Sequence, residues 1–194
     1  IAQFRAALVM HATAARCRMQ REDRRMGAMK QGEHISGDGW AAGPGGIKLW
    51  GKFGAAGLFL LAGERVLLQH RAEWTNHGGT WGIPGGARDF HESAVAAALR
   101  ETQEECAIAP ADVLVLGERV TAGPYPAVGE LPGNWTYTTV IARTRGDEPL
   151  DVIANEESNE LRWVHLDEVE NLPLLGAFRE AIPSLRAFIA GQPR

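Results

Sequence analysis

Three glutamates lie within five residues of one another near the middle of the chain, at Glu101, Glu104 and Glu105. Residues three and four apart share a face of a helix, so a helix here would bring the three carboxylates together. Like charges at these spacings destabilise a helix by roughly 0.2–0.5 kcal/mol per pair. A solvated acidic helix face is the ordinary explanation. A site for a hard divalent cation such as Mg²⁺, which takes oxygen ligands, is the alternative.

The segment that carries these carboxylates has the composition of a helix. Residues 91–106 contain no Gly or Pro and are rich in Ala, Leu, Glu and Arg, which are good helix formers. Residues suited to the interior recur at helical spacing and predict an inward face. They are Val95, Ala98, Leu99, Thr102 and Cys106.

The remaining elements predict a mixed sheet covered by helices. Two apolar runs over 57–61 and 65–68, split by Gly63 and Glu64, indicate a hairpin. A short strand before Gly85 and Gly86 ends in a glycine turn, which places bare backbone beside the start of the helix. The other predicted elements are β-rich stretches at 113–122, 135–144 and 161–166, a short helix at 167–172, and a helix at 177–190 interrupted by Pro183. Because βαβ repetition is lacking, the predicted class is α/β of the α+β kind.

Length and charge limit the domain plan. The 194 residues suit one domain with an extension, and the formal charge of −4 argues against a general nucleic-acid binder. Residues 37–46 hold five glycines and a proline and are predicted to be a loop. We therefore expect residues 1–46 to form a flexible N-terminal extension and residues 47–194 to form the folded domain.

The cysteines and the apolar runs suggest a compartment. Cys17 and Cys106 lie far apart and form no CxxC pattern, so a reducing cytoplasm is expected. No apolar run reaches the length of a membrane span, so no membrane partner is expected.

Six positions between residues 86 and 105 match a known signature in register. The pattern Gly-x5-Glu-x7-Arg-Glu-U-x-Glu-Glu-x-Gly-U, where U is bulky and apolar, is met by Gly86, Glu92, Arg100, Glu101, Glu104 and Glu105. The chain therefore resembles the Nudix hydrolases, and among them the MutT-like members. Two positions depart from the pattern, because Ala107 replaces a glycine and Thr102 an aliphatic residue. Alanine resists the left-handed conformation that a glycine adopts there, so a different exit of the helix is expected.

The resemblance implies a fold and a metal site. The implied fold is the Nudix fold, a mixed β-sheet sandwiched between helices. The implied cofactor is Mg²⁺, with Mn²⁺ as an alternative. Its implied ligands are the carboxylates of Glu101, Glu104 and Glu105 and the backbone carbonyl around Gly85.

The resemblance also implies roles for neighbouring residues. Arg100 and Glu101 are implied catalytic residues, with Arg100 orienting Glu101 through a bidentate contact. Gly86 and Glu92 are implied supporting residues near the helix start. Glu157 resembles a downstream glutamate that many members use as base or metal ligand, with Glu156, Glu160 or a solvated acidic loop as alternatives.

The implied reaction is attack of water on a diphosphate linkage of a small-molecule nucleotide. The leading substrate is a nucleoside triphosphate, deoxy or not, cleaved to its monophosphate and pyrophosphate. ADP-ribose and dinucleoside polyphosphates remain open, because the marker positions Pro124 and Tyr125 point to different subfamilies. A non-catalytic nucleotide-binding module is a further alternative, as is a cysteine-centred prenyl diphosphate isomerase. A homodimer is also expected.

Aromatic residues near these elements could stack on a base, although packing in the core or a hairpin is the favoured interpretation. The candidates are Trp74, Trp81, Tyr125 and Trp135. His70 and His77 flank the strand before the signature and are interpreted as surface histidines.

Overall fold

A computed structural model describes residues 35–192, which belong to one compact unit. Most of the predicted flexible extension, residues 1–34, lies outside the described residues. The strands of the described part are β1 (Trp40–Ala42), β2 (Lys48–Trp50), β3 (Ala55–Ala62), β4 (Arg65–Arg71), β5 (Trp81–Gly82), β6 (Gly85–Ala87), β7 (Val113–Tyr125), β8 (Trp135–Thr144) and β9 (Ser158–His165). The α-helices are α1 (Ala94–Cys106) and α2 (Gly176–Ala190), and 3-10 turns occupy Pro44–Gly46, Pro110–Asp112 and Leu166–Asn171.

Seven of the strands form one mixed sheet. Five follow the order β5-β4-β3-β8-β7, while β6 also pairs with β3 and β9 also pairs with β4. The β3–β8 pairing is parallel and the others are antiparallel. The predicted mixed sheet and the α+β class are confirmed.

Helices cover both faces of this sheet because its central strand is apolar on both sides. Along β3, Leu58 and Leu60 belong to the core cluster that contains the buried residues of α1. Phe59 and Leu61 belong to the cluster that contains the buried residues of α2. Successive side chains of a strand point to opposite faces, so this continuous apolar run supports a helix on each face.

The hairpin prediction is confirmed, and two other predictions are wrong. Strands β3 and β4 pair antiparallel on either side of Gly63-Glu64. The predicted loop at 37–46 contains β1, which pairs with β2, so the glycine-rich composition concealed a short strand. The predicted interruption of the last helix does not occur, since α2 continues through Pro183. Burial of Phe178 and Leu185 on either side of Pro183 supports the continuous helix.

Helix α1 begins and ends with identifiable caps. The Ser93 hydroxyl accepts a hydrogen bond from the Ala96 amide at 3.1 Å, so the helix begins at Ala94 rather than at residue 91. At the other end, Ala107 adopts the left-handed conformation, with φ 59° and ψ 22°. Its amide donates to the Gln103 carbonyl. The chain thus retains the backbone geometry that favours glycine but uses alanine there.

Replacing Ala107 with Gly should therefore stabilise the protein by about 1 kcal/mol, because the left-handed conformation costs an alanine about that much. Urea unfolding at equilibrium measures the gain. Ala109→Gly is the matched control, since Ala109 has φ −73° and gains no relief from a glycine. A loss of stability in Ala107→Gly would contradict the prediction.

Candidate active site

The three clustered glutamates of α1 point in different directions. Glu105 lies on the buried face of the helix and is 3% exposed. The Glu101 side chain is 16% exposed, and that of Glu104 is 58% exposed. The predicted inward face therefore omitted Glu105, while Val95 and Leu99 on that face are only partly buried. Placing a carboxylate inside the protein requires polar partners.

Two donors on different strands hold the Glu105 carboxylate. The Gly85 amide donates to Oε2 at 2.8 Å, and the Gln69 side-chain amide donates to Oε1 at 3.1 Å. Burial nevertheless raises the pKa of Glu105 from 4.5 to about 7, with smaller upward effects from Glu101 and Glu157. The negative charge at this position is therefore only partly compensated.

The glycine pair allows the helix to lie close to the sheet. Gly85 and Gly86 belong to β6 and pair with Gly57 and Ala56 in β3, so the prediction of a glycine turn at these residues is wrong. A Cβ on Gly86 would lie 2.6 Å from the Glu101 carboxyl carbon, and one on Gly85 would lie 2.4 Å from the Ala56 carbonyl oxygen. Backbone atoms exclude a side chain at Gly85, and a side chain at Gly86 would displace the Glu101 carboxylate, which explains the glycines in front of the helix.

Arg100 links the helix to the loop that precedes it. Its guanidinium donates to both carboxylate oxygens of Glu92 at 2.9 Å and to the Ala87 carbonyl at 3.0 Å. Its contact with Glu101 is a single hydrogen bond of 2.7 Å. The predicted bidentate contact to Glu101 is therefore wrong, because the planar guanidinium directs its paired donors at Glu92. This hydrogen bonding holds the pKa of Glu92 below its ordinary value.

Glu157 lies in the loop before β9 and influences the same carboxylates. Burial raises the pKa of Glu101, Arg100 lowers it, and the charges of Glu104 and Glu157 raise it further. Glu157 is exposed, and its charge also raises the pKa of Glu105. The structure thus brings Glu157 into electrostatic range of the α1 carboxylates. The alternative Glu160 instead pairs with Arg162 through two short contacts.

Gln69 is a site residue that the sequence reasoning missed. It lies on β4, is fully buried, and donates to Glu105 and to the Ser158 hydroxyl. The available signal was a polar residue directly after the apolar run "VLL" of a buried strand.

The aromatic residues mostly follow the packing interpretation. Trp81 and Trp135 are 5% and 7% exposed, and Tyr125 stacks on Trp135 at 6.1 Å. His70 stacks on Trp81 at 4.9 Å and is only partly exposed, so it is not a free surface histidine. Trp74 is 68% exposed, so the packing interpretation is wrong for it.

Cys106 bears on the isomerase alternative. It is the one cysteine in the described part of the chain, and its side chain is fully buried. Burial also raises the pKa of its thiol. An inaccessible, protonated thiol is unsuited to reaction chemistry, so Cys106 does not support a cysteine-centred site.

The donor set suits a hard cation. Across residues 35–192, no three His, Cys, Asp or Glu side chains already converge as a metal cluster. The oxygens of Glu101, Glu104 and Glu105 nevertheless share one end of α1, and burial leaves two of them with raised pKa values. A cation would relieve this uncompensated charge, and carboxylate oxygens are the ligands that Mg²⁺ and Mn²⁺ prefer.

Comparison with known proteins identifies the class. The family model described as "NUDIX domain" matches residues 51–185 of this chain. A Mycobacterium tuberculosis protein named "Putative 8-oxo-dGTP diphosphatase 3" is 45% identical over 162 residues, covering 81% of this chain and 72% of the relative. The chain belongs to the Nudix family, and the predicted Nudix hydrolase is confirmed.

Solved structures agree with this assignment. The crystal structure of the Nudix hydrolase RenU from M. smegmatis is 44% identical, with a TM-score of 0.74, and the match covers 81% of this chain and 98% of that one. A C. elegans Ap4A hydrolase binary complex shares the fold at 24% identity and a TM-score of 0.55, over 71% of this chain and 99% of its own. Nudix hydrolases generally use divalent metals.

Within residues 35–192, no helix is long and apolar enough to cross a membrane.

Proposed function

We propose that this chain hydrolyses nucleoside triphosphates, including oxidised dGTP, to the monophosphate and pyrophosphate with the help of Mg²⁺. The observation that carries the proposal is a pair of under-compensated carboxylates, the buried Glu105 and the partly buried Glu101, beside the bare backbone of Gly85 and Gly86. The name of the mycobacterial relative supports the substrate class. The intact set of glutamates argues against a non-catalytic module.

The proposed metal ligands are Glu101, Glu104, Glu105 and the Gly85 carbonyl. When bound, Mg²⁺ or Mn²⁺ would neutralise charge on the phosphates and lower the pKa of a nearby water. The donors to Glu105 from Gly85 and Gln69 leave its carboxylate little freedom to rotate. A carboxylate held in this way needs little reorganisation when a cation binds.

The proposed work of the other residues is orientation and proton transfer. Arg100 holds Glu101 while Glu92 and the Ala87 carbonyl fix Arg100, so the two glutamates are connected through one guanidinium. Glu157, which is exposed and in electrostatic range of Glu101, accepts the proton of the attacking water. The water oxygen bonds to one of the two phosphorus atoms joined by the α–β bridge, the bond from that phosphorus to the bridging oxygen breaks, and the monophosphate and pyrophosphate separate. A cytoplasmic location, a homodimer and the division at residue 47 remain predictions.

A substrate panel tests the proposal. The protein is incubated with Mg²⁺ and dGTP, 8-oxo-dGTP, the other nucleoside triphosphates, ADP-ribose and diadenosine polyphosphates, and products are separated by chromatography. We expect a triphosphate to be converted to its monophosphate and pyrophosphate in preference to the other classes. Preferred turnover of ADP-ribose or a diadenosine polyphosphate would replace the proposed substrate, and no turnover of any compound would favour a binding module.

Two exposed helix glutamates provide the matched comparison for this panel. Glu104→Gln removes a proposed ligand, whereas Glu180→Gln makes the same change on α2. Turnover should fall about 100-fold in the first variant and stay unchanged in the second. Equal turnover in both variants would remove Glu104 from the proposed site.

A further inference from the structure

We propose that Gln69 is a positioning residue that holds Glu105 and the start of β9, and through it Glu157, in one fixed arrangement. This inference rests on the proposed function, because it assigns Gln69 to the metal-binding carboxylates. Gln69 acts through these groups and has no proposed contact with the substrate.

If packing of the core were the only requirement at this position, a buried glutamine would be less favourable than a leucine. Gln69 follows Val66, Leu67 and Leu68 on β4, and all four residues are fully buried. Burying an amide without hydrogen bonds costs about 1–3 kcal/mol in proteins, whereas a leucine would add apolar burial. Departures of this kind from the local pattern concentrate at functional sites.

The geometry of the amide uses both of its hydrogens. Nε2 donates to Glu105 Oε1 at 3.1 Å and to Ser158 Oγ at 2.8 Å. The carbonyl Oε1 accepts no hydrogen bond from any described residue, so the donors, not the acceptor, fix the side chain. Since the Gly85 amide binds the other oxygen of Glu105, the two donors together fix the plane of that carboxylate.

The second donor reaches the loop that carries Glu157. Ser158 begins β9 and pairs with Arg71 where the β4–β9 register shifts. The neighbouring Glu157 carbonyl accepts a hydrogen bond from the Ala72 amide at 2.8 Å. Gln69 and Ala72 therefore anchor the chain immediately C-terminal to the Glu157 Cα, at the Ser158 hydroxyl and the Glu157 carbonyl. Glu105 and Glu157 lie far apart in sequence, and a single buried amide connects their backbone elements.

Gln69→Met tests this role, since methionine has nearly the same shape and no donor. Removing a partner that orients a metal ligand typically costs 10–100-fold in metal affinity or activity. We expect the Kd for Mn²⁺ to rise about 10-fold and kcat to fall about 10- to 100-fold, with KM for the nucleotide changed less than about 3-fold. Electron paramagnetic resonance of free Mn²⁺ measures the Kd without substrate.

Two further variants separate positioning from general stability. Gln103→Met makes the same change at an exposed position of α1 and should leave the Mn²⁺ Kd and kcat unchanged. Ser158→Ala removes only the link to β9 at a partly exposed residue, and we expect a smaller loss of kcat with little change in the Mn²⁺ Kd. In a Glu105→Gln background, Gln69→Met should weaken Mn²⁺ binding no further, because its effect passes through Glu105.

The proposal is overturned if folded Gln69→Met binds Mn²⁺ and turns over like the unsubstituted protein, or if its effects are fully additive with Glu105→Gln. If Gln69→Met does not fold, unchanged kcat in Ser158→Ala would overturn the link to Glu157. Failure of the proposed function is distinguishable, because the Mn²⁺ titration needs no substrate. An inactive protein whose Mn²⁺ affinity still depends on Gln69 would refute the substrate class and keep the positioning role.

Discussion

Replacing Glu101 with Gln is expected to lower kcat about 1,000-fold while the protein stays folded. Gln has the same shape and can still accept the hydrogen bond from Arg100 through its carbonyl oxygen. It loses the negative charge, and with it the strong interaction expected with a divalent cation. Stability should change little, because burial already raises the pKa of Glu101 and a neutral amide avoids that desolvation cost.

Steady-state kinetics on the best substrate of the panel, with thermal unfolding of the same preparations, measures both expectations. Glu118→Gln is the control, because Glu118 is an exposed glutamate on β7 outside the site. If Glu101→Gln keeps more than about a tenth of the kcat of the unsubstituted protein, Glu101 is neither a required ligand nor a catalytic residue.

The elements that carry the site were predictable because their signals are local. Helix α1 follows from a run without Gly or Pro, and the β3–β4 hairpin from two apolar runs around Gly63-Glu64. The positions of the signature glutamates along α1 follow from the same helical period. Each of these features depends on residues close together in the sequence.

Features set by tertiary contacts were not predictable in this way. Helical spacing groups Glu101, Glu104 and Glu105 together, but it does not show that Glu105 turns into the protein. That orientation depends on donors from Gln69 and Gly85, which are 36 and 20 residues away. Strand β1 was also missed, because its pairing with β2 compensates for a glycine-rich context.

The partners of Arg100 show the same limit. Spacing places Arg100 next to Glu101 and on the same helix face as Glu104, one turn away. Neither glutamate receives the bidentate contact of Arg100. The loop between β6 and α1 folds back so that Glu92 meets the guanidinium with both oxygens. A pattern of residue types records that an arginine and a glutamate are required, but not that they bind each other.

The buried carboxylate should also make the metal-free protein less stable as pH rises from about 4.5 to 7. The pKa of Glu105 is about 7 when folded, compared with an ordinary value of 4.5, so the folded state binds the proton more tightly. Stability is therefore greatest where Glu105 is protonated and falls as the pH passes through 4.5 to 7. The loss approaches about 1.4 kcal/mol per pH unit and totals on the order of 3 kcal/mol.

Two other carboxylates also affect how stability depends on pH. The raised pKa of Glu101 acts in the same direction, while the lowered pKa of Glu92 contributes stability that is lost below its ordinary value of 4.5. Glu92 therefore acts mainly below the window. Urea unfolding in EDTA at intervals from pH 5 to 8 measures the slope, and Glu105→Gln should flatten most of it, whatever its absolute stability.

Added Mg²⁺ should reverse the loss at pH 8, because binding to the ionised carboxylates stabilises the folded state by mass action. The same addition should have less effect at pH 5, where protons occupy Glu105. A pH slope equal in Glu105→Gln and the unsubstituted protein would show that another group titrates. Equal stabilisation by Mg²⁺ in the two proteins would mean that Glu105 does not contribute to the metal site, so the cost of burying this carboxylate would have no compensation in metal binding.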